Sequence, residues 1–324
     1  MRARITHRTS LFYDEGADPS LDRPAHVRAG SGLAFVNTPS GPRLLVIQDD
    51  ASFLALVDVR AHPARVTSSI ALPAGPNGKR TFDEASGTKK HKLDLESVTV
   101  LPGSDGPLVI ALGSGSTDQR ERIVVARVDQ APPAVELVHA HALYASLRAH
   151  PILREAVPGG AELNLEGVAH VGPRVMLFQR GNGVGAVNAV FALDTRAFLA
   201  FLHGGQAPAI LDAREFHLGT VPSPFGTDNV ALTFTDAFAH DGRVLVVAAA
   251  EASPNAVDDG EIVGCAFGVL GADLAPILDE SGAIYVGKPE GLAVDEHDPT
   301  RGYLVVDKDD PSVAAELLTI RIDA

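Results

Sequence analysis

The chain has 324 residues, of which 45% are hydrophobic and only 5% aromatic, with no tryptophan, so its core must consist mainly of valine, leucine, alanine and isoleucine. This composition favours strands, and 31 glycines with 22 prolines indicate a chain that turns often. The formal net charge of −14 argues against nucleic acid or an anionic membrane as partner, because both require clustered lysine and arginine.

The single cysteine, Cys265, lies in an apolar run, so we expect it to be buried. One cysteine excludes an intrachain disulfide and a cysteine zinc site. The first residues lack the apolar centre of a signal peptide, and no apolar run is long enough to span a bilayer. We therefore expect a cytoplasmic protein of bacterial type, with residues 1–324 forming one domain, and the sequence leaves its oligomeric state open.

Strand patterns follow one another along the chain, separated by turn signals. An isolated strand is predicted within residues 2–13 and is followed by a polar linker. From residue 31 four short strands follow, and after a polar segment (residues 75–92) the same order returns several times. Two helical interruptions are predicted, over residues 141–155 and 195–201.

The strand patterns form a repeat with five units that align on their first strands. The first strands begin in the segments GSGLAFV, DLESVTV, NLEGVAH, FTDAFAH and KPEGLAV, and the aligned positions are Ser31, Glu96, Glu166, Asp236 and Glu290. These positions lie between about 54 and 70 residues apart, a spacing that suits four antiparallel strands per unit and is typical of a β-propeller. We predict an all-β, five-bladed propeller, with six blades as the alternative if residues 129–160 contain a degenerate unit.

The last unit has only three predicted strands before the chain ends. The isolated N-terminal strand is therefore expected to complete the last blade and close the ring, which removes exposed sheet edges.

The five aligned positions all begin a first strand, so they should converge at one mouth of the central channel. Four carboxylates and a hydroxyl in a narrow channel repel one another unless something compensates them. Because all five are hard oxygen ligands, the pattern predicts a hard cation, with Ca²⁺ favoured over Mg²⁺ because a wide ring suits flexible coordination. The alternative is that these acids pair with Arg180, Lys308 or backbone amides and hold the blades together without metal.

The loops after the second strands should reach the same rim, because the second strand runs back beside the first. Their polar residues are Asp49, Asp50, Ser114, Ser116, Arg180, Asn182, Glu251, Asp307, Lys308 and Asp309. Arg180 and Lys308 could hold an anionic group of a small substrate, phosphate or carboxylate, beside the ion, and the alternative is that they are exposed loop charges without a ligand. His91, in the basic segment before Glu96, or a ring carboxylate could serve as general base, whereas a solvated loop histidine is the alternative for His91.

Three segments resemble an uncharacterised family of bacterial β-propeller proteins over nearly the whole chain: KKHKLDLESVTVLPGSDGPLVIALGSGSTDQRER, LNLEGVAHVGPRVMLFQRGN and PEGLAVDEHDPTRGYLVVDKDD. The ring of Glu and Ser is also similar to that of the calcium-activated nucleotidases (apyrases), and this resemblance implies an axial calcium held by the five aligned residues. The openings EGV and EGL are similar to those of esterase-like phytase-type and gluconolactonase-type propellers.

Two hypotheses for function follow from these observations. In the first, the protein is a metal-dependent hydrolase of a phosphate or ester substrate bound at the rim. In the second, it is a non-catalytic, calcium-stabilised propeller that binds a ligand or a protein through the same rim.

Overall fold

Short antiparallel strands dominate the computed structural model, which describes residues 1–157, 159–181, 187–222, 229–252 and 260–323. The strands form where β-branched and aliphatic residues are frequent. Tight turns join the first and second strands of the units. Gly41 (φ 103°) and Gly106 (φ 125°) adopt there a backbone conformation that residues with a Cβ atom rarely adopt.

The strands group into five sheets, and within each sheet neighbouring strands pair antiparallel. The first strand of the chain is β1 (Arg2–Ser10). Blade 1 contains β2 (Gly30–Thr38), β3 (Gly41–Gln48), β4 (Phe53–Asp58) and β5 (Arg65–Ala71). Blade 2 contains β6 (Leu95–Gly103), β7 (Gly106–Gly113), β8 (Arg122–Arg127) and β9 (Ala134–His139). Blade 3 contains β10 (Leu165–Val171), β11 (Arg174–Gln179), β12 (Ala189–Asp194) and β13 (Ile210–Glu215). Blade 4 contains β14 (Thr220–Pro222), β15 (Asn229–His240), β16 (Arg243–Ala252), β17 (Glu261–Val269) and β18 (Ala275–Pro276). Blade 5 contains β19 (Pro289–Val294), β20 (Arg301–Val306) and β21 (Glu316–Asp323).

The N-terminal strand completes blade 5, as predicted. The strand order in this blade is β19-β20-β21-β1, and β1 pairs antiparallel with β21 so that Ile5 lies opposite Ile320. The prediction of an all-β, five-bladed propeller closed by both ends of the chain is therefore confirmed. The described residues of the range 129–160, which carried the six-blade alternative, form β9 and two short helices and no further sheet.

Both helical interruptions are present. The first consists of α1 (His141–Arg148) and α2 (Pro151–Arg154), because Pro151 begins a new helix after His150, which acts as its N-cap. The second is α3 (Thr195–Leu202), capped by Asp194. None of the helices in the described ranges is both long enough and apolar enough to cross a bilayer.

The apolar core lies between neighbouring blades. Leu45 and Ile47 of blade 1 pack in one cluster with Val109 of blade 2, and four similar clusters join the remaining neighbours round the ring. Cys265 is buried in the cluster between blades 4 and 5, where burial raises the pKa of its thiol to about 12. The cysteine is thus a small apolar core residue, as expected. Each blade therefore buries apolar side chains against both of its neighbours.

The closing strand should contribute measurably to stability. Ile5→Ala removes a fully buried side chain from the cluster between blades 4 and 5, so we expect it to lower the free energy of unfolding by about 2–5 kcal/mol. His7→Ala, on an exposed position of the same strand, is the control and should change it by less than about 0.5 kcal/mol. Denaturant unfolding followed by circular dichroism measures the free energy of unfolding of both variants. Equal changes in Ile5→Ala and His7→Ala would contradict a structural role for β1.

Candidate functional site

Every first strand carries a β-bulge at the mouth of the channel. The pairing of the first with the second strand skips one residue in each blade, and the skipped residues are Ser31, Glu96, Glu166, Thr235 and Glu290. A bulge bends the strand and re-aims the side chain of the extra residue. We call these five residues the bulge ring.

In blade 4 the bulge ring contains Thr235, whereas the sequence alignment placed Asp236 there. Asp236 lies opposite Val247, one position farther along, which is the level of Gly32, Ser97, Gly167 and Gly291 in the other blades. Side chains alternate between the two faces of a strand, so a shift of one residue gives Asp236 a different environment. Asp236 is therefore not a member of the bulge ring, although the negative charge of Glu166 acts on its carboxyl group.

Asp236 instead joins blade 4 to blade 5 within the protein interior. Its side chain accepts hydrogen bonds from the backbone N–H of Ala237 (2.7 Å) and of Leu292 (2.6 Å), and the residue is only 1% exposed. Burial raises the pKa of this carboxyl well above its usual range, although the two N–H donors act in the opposite direction. This arrangement matches the alternative in which an aligned acid pairs with backbone amides.

The two hydroxyl members of the bulge ring are also buried. Ser31 Oγ donates a hydrogen bond of 2.5 Å to the carbonyl oxygen of Leu95 and so joins blade 1 to blade 2. Thr235 Oγ1 has no hydrogen-bond partner among the described residues. Neither side chain lines the cavity formed by the other three members.

Glu96, Glu166 and Glu290 line one cavity of about 950 Å³ at the channel mouth, which we call the funnel. The loops after the second strands line it too, as predicted, and contribute Arg180 and Glu251. Among the described lining residues, thirteen are Asp or Glu and seven are Lys or Arg. The funnel thus carries an excess of negative charge, which favours cations.

Three carboxylates lie together on one wall of the funnel. Asp49, Asp94 and Glu96 each offer an oxygen atom, and these atoms lie within 4.8 Å of one another. We call these residues the carboxylate trio. Lys92 Nζ lies 2.6 Å from Asp49 Oδ2 and 2.8 Å from Asp94 Oδ1, and Arg120 Nη1 lies 3.0 Å from Asp94 Oδ2. Two basic side chains therefore compensate part of the charge of the trio.

The remaining oxygens of the trio have no such partner. No hydrogen bond or salt bridge reaches the Glu96 carboxylate from the described residues, and Asp49 Oδ1 is buried without a hydrogen bond. Burial and the negative charges of Asp49 and Glu166 raise the pKa of Glu96 well above its usual range. Burial also opposes the ionisation of Asp94, but Lys92 and Arg120 hold its pKa below the usual value. Glu96 thus requires a proton or a cation.

A second group of charges is compensated within the protein. Arg180 forms salt bridges with Glu251 and, at 3.4 Å, with Glu166, while Lys288 Nζ lies 2.9 Å from Glu290. We call these five residues the Arg180 network. Despite the cost of burial, Glu166 and Glu251 hold the pKa of Arg180 above its usual value, so the guanidinium is charged. The network ties blades 3, 4 and 5 together and matches the predicted ion-pair alternative.

Two of the predicted catalytic residues do not line the funnel. Lys308 Nζ lies 2.9 Å from Glu316 Oε2, and its side chain is directed to that strand rather than to the cavity. His91 ends the helical turn Lys89–His91 at the rim, where the cavity is lined by Lys89 and Lys92. Arg180 is the predicted basic residue that the structure brings into the funnel. Asn182 lies outside the described residues.

Sequence reasoning missed Asp94 and Lys288, although both precede a ring glutamate by two residues. Asn164 occupies the same position in blade 3 and donates a hydrogen bond of 2.7 Å to Glu166 Oε1. In an extended chain, residues two apart point to the same side. The pattern Asp-x-Glu, Asn-x-Glu and Lys-x-Glu at the starts of three first strands was therefore the available signal.

Buried glutamines position the segments that enter two of the blades. Gln48, at the end of β3, accepts a hydrogen bond from the backbone N–H of Arg28 (2.8 Å). Gln179, at the end of β11, accepts one from the backbone N–H of Asn164 (2.8 Å) and donates one to the carbonyl oxygen of Glu162 (2.9 Å). These contacts fix the backbone just before the bulge ring in blades 1 and 3.

The fold and the site define a five-bladed β-propeller with a charged, predominantly acidic funnel at one end of its channel. The chain belongs to a family of unknown function, DUF6929, whose profile matches residues 26–322. Membership in an uncharacterised propeller family was predicted from the sequence and is thereby confirmed. Among curated proteins, none matches the chain.

Several solved structures are remotely similar over nearly the full chain. An α-L-arabinofuranosidase from Podospora anserina, in complex with cellotriose, has a TM-score of 0.45 and 9% identity, covering 100% of this chain and 97% of that chain. A luciferin-regenerating enzyme has a TM-score of 0.40 and 11% identity, with 92% of each chain covered. An endo-arabinanase of family GH43 from Bacillus licheniformis has a TM-score of 0.38 and 11% identity, covering 95% of this chain and 96% of that chain. At such similarity their activities are not transferred to this protein.

The link between blades 4 and 5 can be tested at Asp236. Asp236→Asn should lower the free energy of unfolding by about 1–3 kcal/mol, because the amide NH₂ cannot accept a hydrogen bond and leaves one buried N–H unpaired. Because the pKa of Asp236 is raised in the folded state, the free energy of unfolding of the wild type falls as pH rises above the usual carboxyl range. The variant lacks this carboxyl group, so the difference in free energy of unfolding between wild type and variant should narrow with rising pH. Denaturant unfolding at several pH values measures this, with the exposed Asp273→Asn as control.

Proposed function

We propose that the carboxylate trio holds a divalent cation, Ca²⁺, at the wall of the funnel, and that the protein is a metal-dependent hydrolase of a small phosphate or ester substrate. The observation that carries this proposal is the grouping of Asp49, Asp94 and Glu96 beside a cavity, with Glu96 and one oxygen of Asp49 unpartnered. This set replaces the five aligned residues as the proposed ligands.

The chemistry of the trio suits a hard cation. Ca²⁺ takes about six to eight oxygen ligands, including carboxylates, carbonyl groups and water. Three carboxylates supply only part of such a shell, so the remaining positions would be filled by water or substrate from the funnel. This favours a site that is open toward the cavity over a closed structural site.

The local charge balance also leaves room for a cation. Burial raises the pKa of Asp49 and of Glu96 well above the usual carboxyl range. With all its members ionised, the trio together with Asp50 would carry four negative charges against the two positive charges of Lys92 and Arg120. A divalent ion would neutralise the excess and allow Glu96 to ionise. The Lys92 ammonium lies on the Oδ2 side of Asp49, so Oδ1 remains available.

Asp307 is a funnel side chain whose pKa suits proton exchange at neutral pH. It follows β20 as Asp49 follows β3, and it lines the cavity. Burial, with the negative charges of Glu290 and Asp309, raises the pKa of Asp307 to about 7, close to the value that suits a general base at neutral pH. A bound cation would supply Lewis-acid chemistry. Asp307 would accept the proton of the attacking water and return it to the leaving oxygen as the phosphate or ester bond breaks.

A second candidate function is binding without catalysis. Lys92, Arg180 and Lys288 are each paired with carboxylates, so the funnel offers an anionic substrate few free basic groups within the described chain. A neutral polar ligand or a protein loop would not need them. In this case the cation would stabilise the propeller and shape the rim.

Cation binding is tested by thermal melting with added Ca²⁺ and with a chelator, together with metal content by emission spectroscopy. Ca²⁺ at a free concentration of 100 times its Kd should stabilise the wild type by about 2.7 kcal/mol, and Glu96→Gln should remove most of this effect. Glu162→Gln is the control, because it removes an equal charge from an exposed position of the same funnel. It should leave the stabilisation by Ca²⁺ unchanged. The site would be excluded if the wild type contains no metal, melts at the same temperature with Ca²⁺ and with chelator, and is no more stable than Glu96→Gln.

Catalysis is tested with a panel of nucleotide, phosphoester and lactone substrates in the presence of Ca²⁺. Asp307→Asn and Glu96→Gln should each lower the hydrolysis rate about 10²–10⁴-fold, and the wild-type rate should rise with pH through about 7 as Asp307 loses its proton. Ca²⁺ binding without turnover of any substrate would favour the second candidate function.

A further inference from the structure

A second cavity lies between blades 1 and 5, at the end of the molecule opposite the funnel. Its walls are the end of β2, the start of β3, the turn after β4, the turn after β19 and the start of β20, all of which lie at that end because the strands alternate in direction. Its volume is about 300 Å³, which suffices for a small molecule. We call it the blade 1/5 cleft.

Arginines outnumber carboxylates by three to two among the residues that line this cleft. Arg43, Arg60 and Arg301 line it, with Asp295 and Glu296 as the acidic residues of the described lining. The Arg43 guanidinium donates to the carbonyl oxygen of Pro42 (2.8 Å) and to Thr67 Oγ1 (3.3 Å), both of them neutral acceptors. The balance of charge is thus the reverse of that in the funnel.

Arg43 and Arg60, the two arginines that blade 1 contributes to the cleft, also lack an ionic partner within the described chain. Within the described chain, no carboxylate lies within salt-bridge distance of the Arg43 or Arg60 guanidinium. By contrast, Lys92, Arg180 and Lys288 in the funnel each contact at least one carboxylate. Arg301 lies 3.7 Å from Asp298 and is about half exposed, so it retains donors that face solvent. Arg60 and Arg301 therefore retain guanidinium donors for a ligand, and Arg43 retains those that do not reach Pro42 or Thr67.

An aromatic wall lies beside these arginines. The rings of Phe35 and Tyr303 meet edge to face, with their centroids 5.9 Å apart and their planes at 71°. Tyr303 is buried and holds the partly exposed Phe35 ring in place, so the cleft has a rigid apolar surface. A rigid aromatic surface can contact a flat ligand at little cost in conformational entropy.

We propose that the blade 1/5 cleft is a ligand site for a small molecule with an oxyanion, phosphate or carboxylate, attached to a flat apolar body. Arg43 and Arg60 hold the oxyanion, because the planar guanidinium matches both groups in a two-pronged hydrogen bond. Phe35 contacts the apolar body. The site is independent of the funnel and of its proposed cation.

The experiment uses the full chain and four probes: inorganic phosphate, phenyl phosphate, benzoate and benzyl alcohol, each titrated by calorimetry and by two-dimensional NMR. Phenyl phosphate or benzoate should bind more tightly than inorganic phosphate, and benzyl alcohol should not bind. The comparison of phenyl phosphate with benzoate decides which oxyanion the cleft prefers. Arg43→Gln and Arg60→Gln should each weaken binding at least about tenfold, whereas Phe35→Leu should abolish the advantage of phenyl phosphate over inorganic phosphate.

Arg174→Gln is the matched control. Arg174 begins the second strand of blade 3, at the same end of the molecule as Arg43, and it is exposed outside the cleft. Equal losses of affinity in Arg174→Gln and Arg43→Gln would show unspecific attraction and overturn the proposal. It would also be overturned if neither phenyl phosphate nor benzoate binds at about 10 mM, which is about ten times the Kd of roughly 1 mM expected for a weak site. Circular dichroism confirms that each variant is folded.

Discussion

The pairing of β1 with β21 is the interaction on which the rest of the structure depends. It supplies the fourth strand of blade 5, so that both ends of the chain meet in one sheet. With the ring closed, each blade packs against two neighbours, and the core is divided into clusters that lie between blades. Closure also brings the starts of all five first strands to one mouth of the channel. The funnel exists because these starts cannot move apart without opening the ring.

A concentration of charge in the funnel is the consequence of this convergence. Buried charges are costly unless they are paired. Most of the buried carboxylates in the funnel are paired, through Lys92 and Arg120 on one side and the Arg180 network on the other. The pairing is incomplete at Glu96 and at one oxygen of Asp49. Residual negative charge at the edge of a large cavity is the physical reason for proposing a cation there.

The two ends of the molecule differ in charge and in shape. At one end the bulges turn glutamates toward a wide acidic funnel, and at the other the turns between strands leave a small cleft with arginines and aromatic rings. Different loops form these ends, because a strand that starts at one rim finishes at the other. The scaffold thus separates the proposed cation site at one end from the proposed oxyanion site at the other.

The sequence by itself determined the number of blades, the closing strand and both helical interruptions, because strand periodicity, turn residues and a regular repeat are local signals. It also located the rim, since Glu96, Glu166, Glu290 and Arg180 were placed at one end of the channel. Only the tertiary structure decided which side chains face one another. The bulge in blade 4 selects Thr235 over Asp236, a shift of one residue that aligned segments could not resolve. The partners Lys92 with Asp49 and Lys288 with Glu290 depend on where separate segments meet in the folded ring, and a pattern along the chain does not specify such contacts.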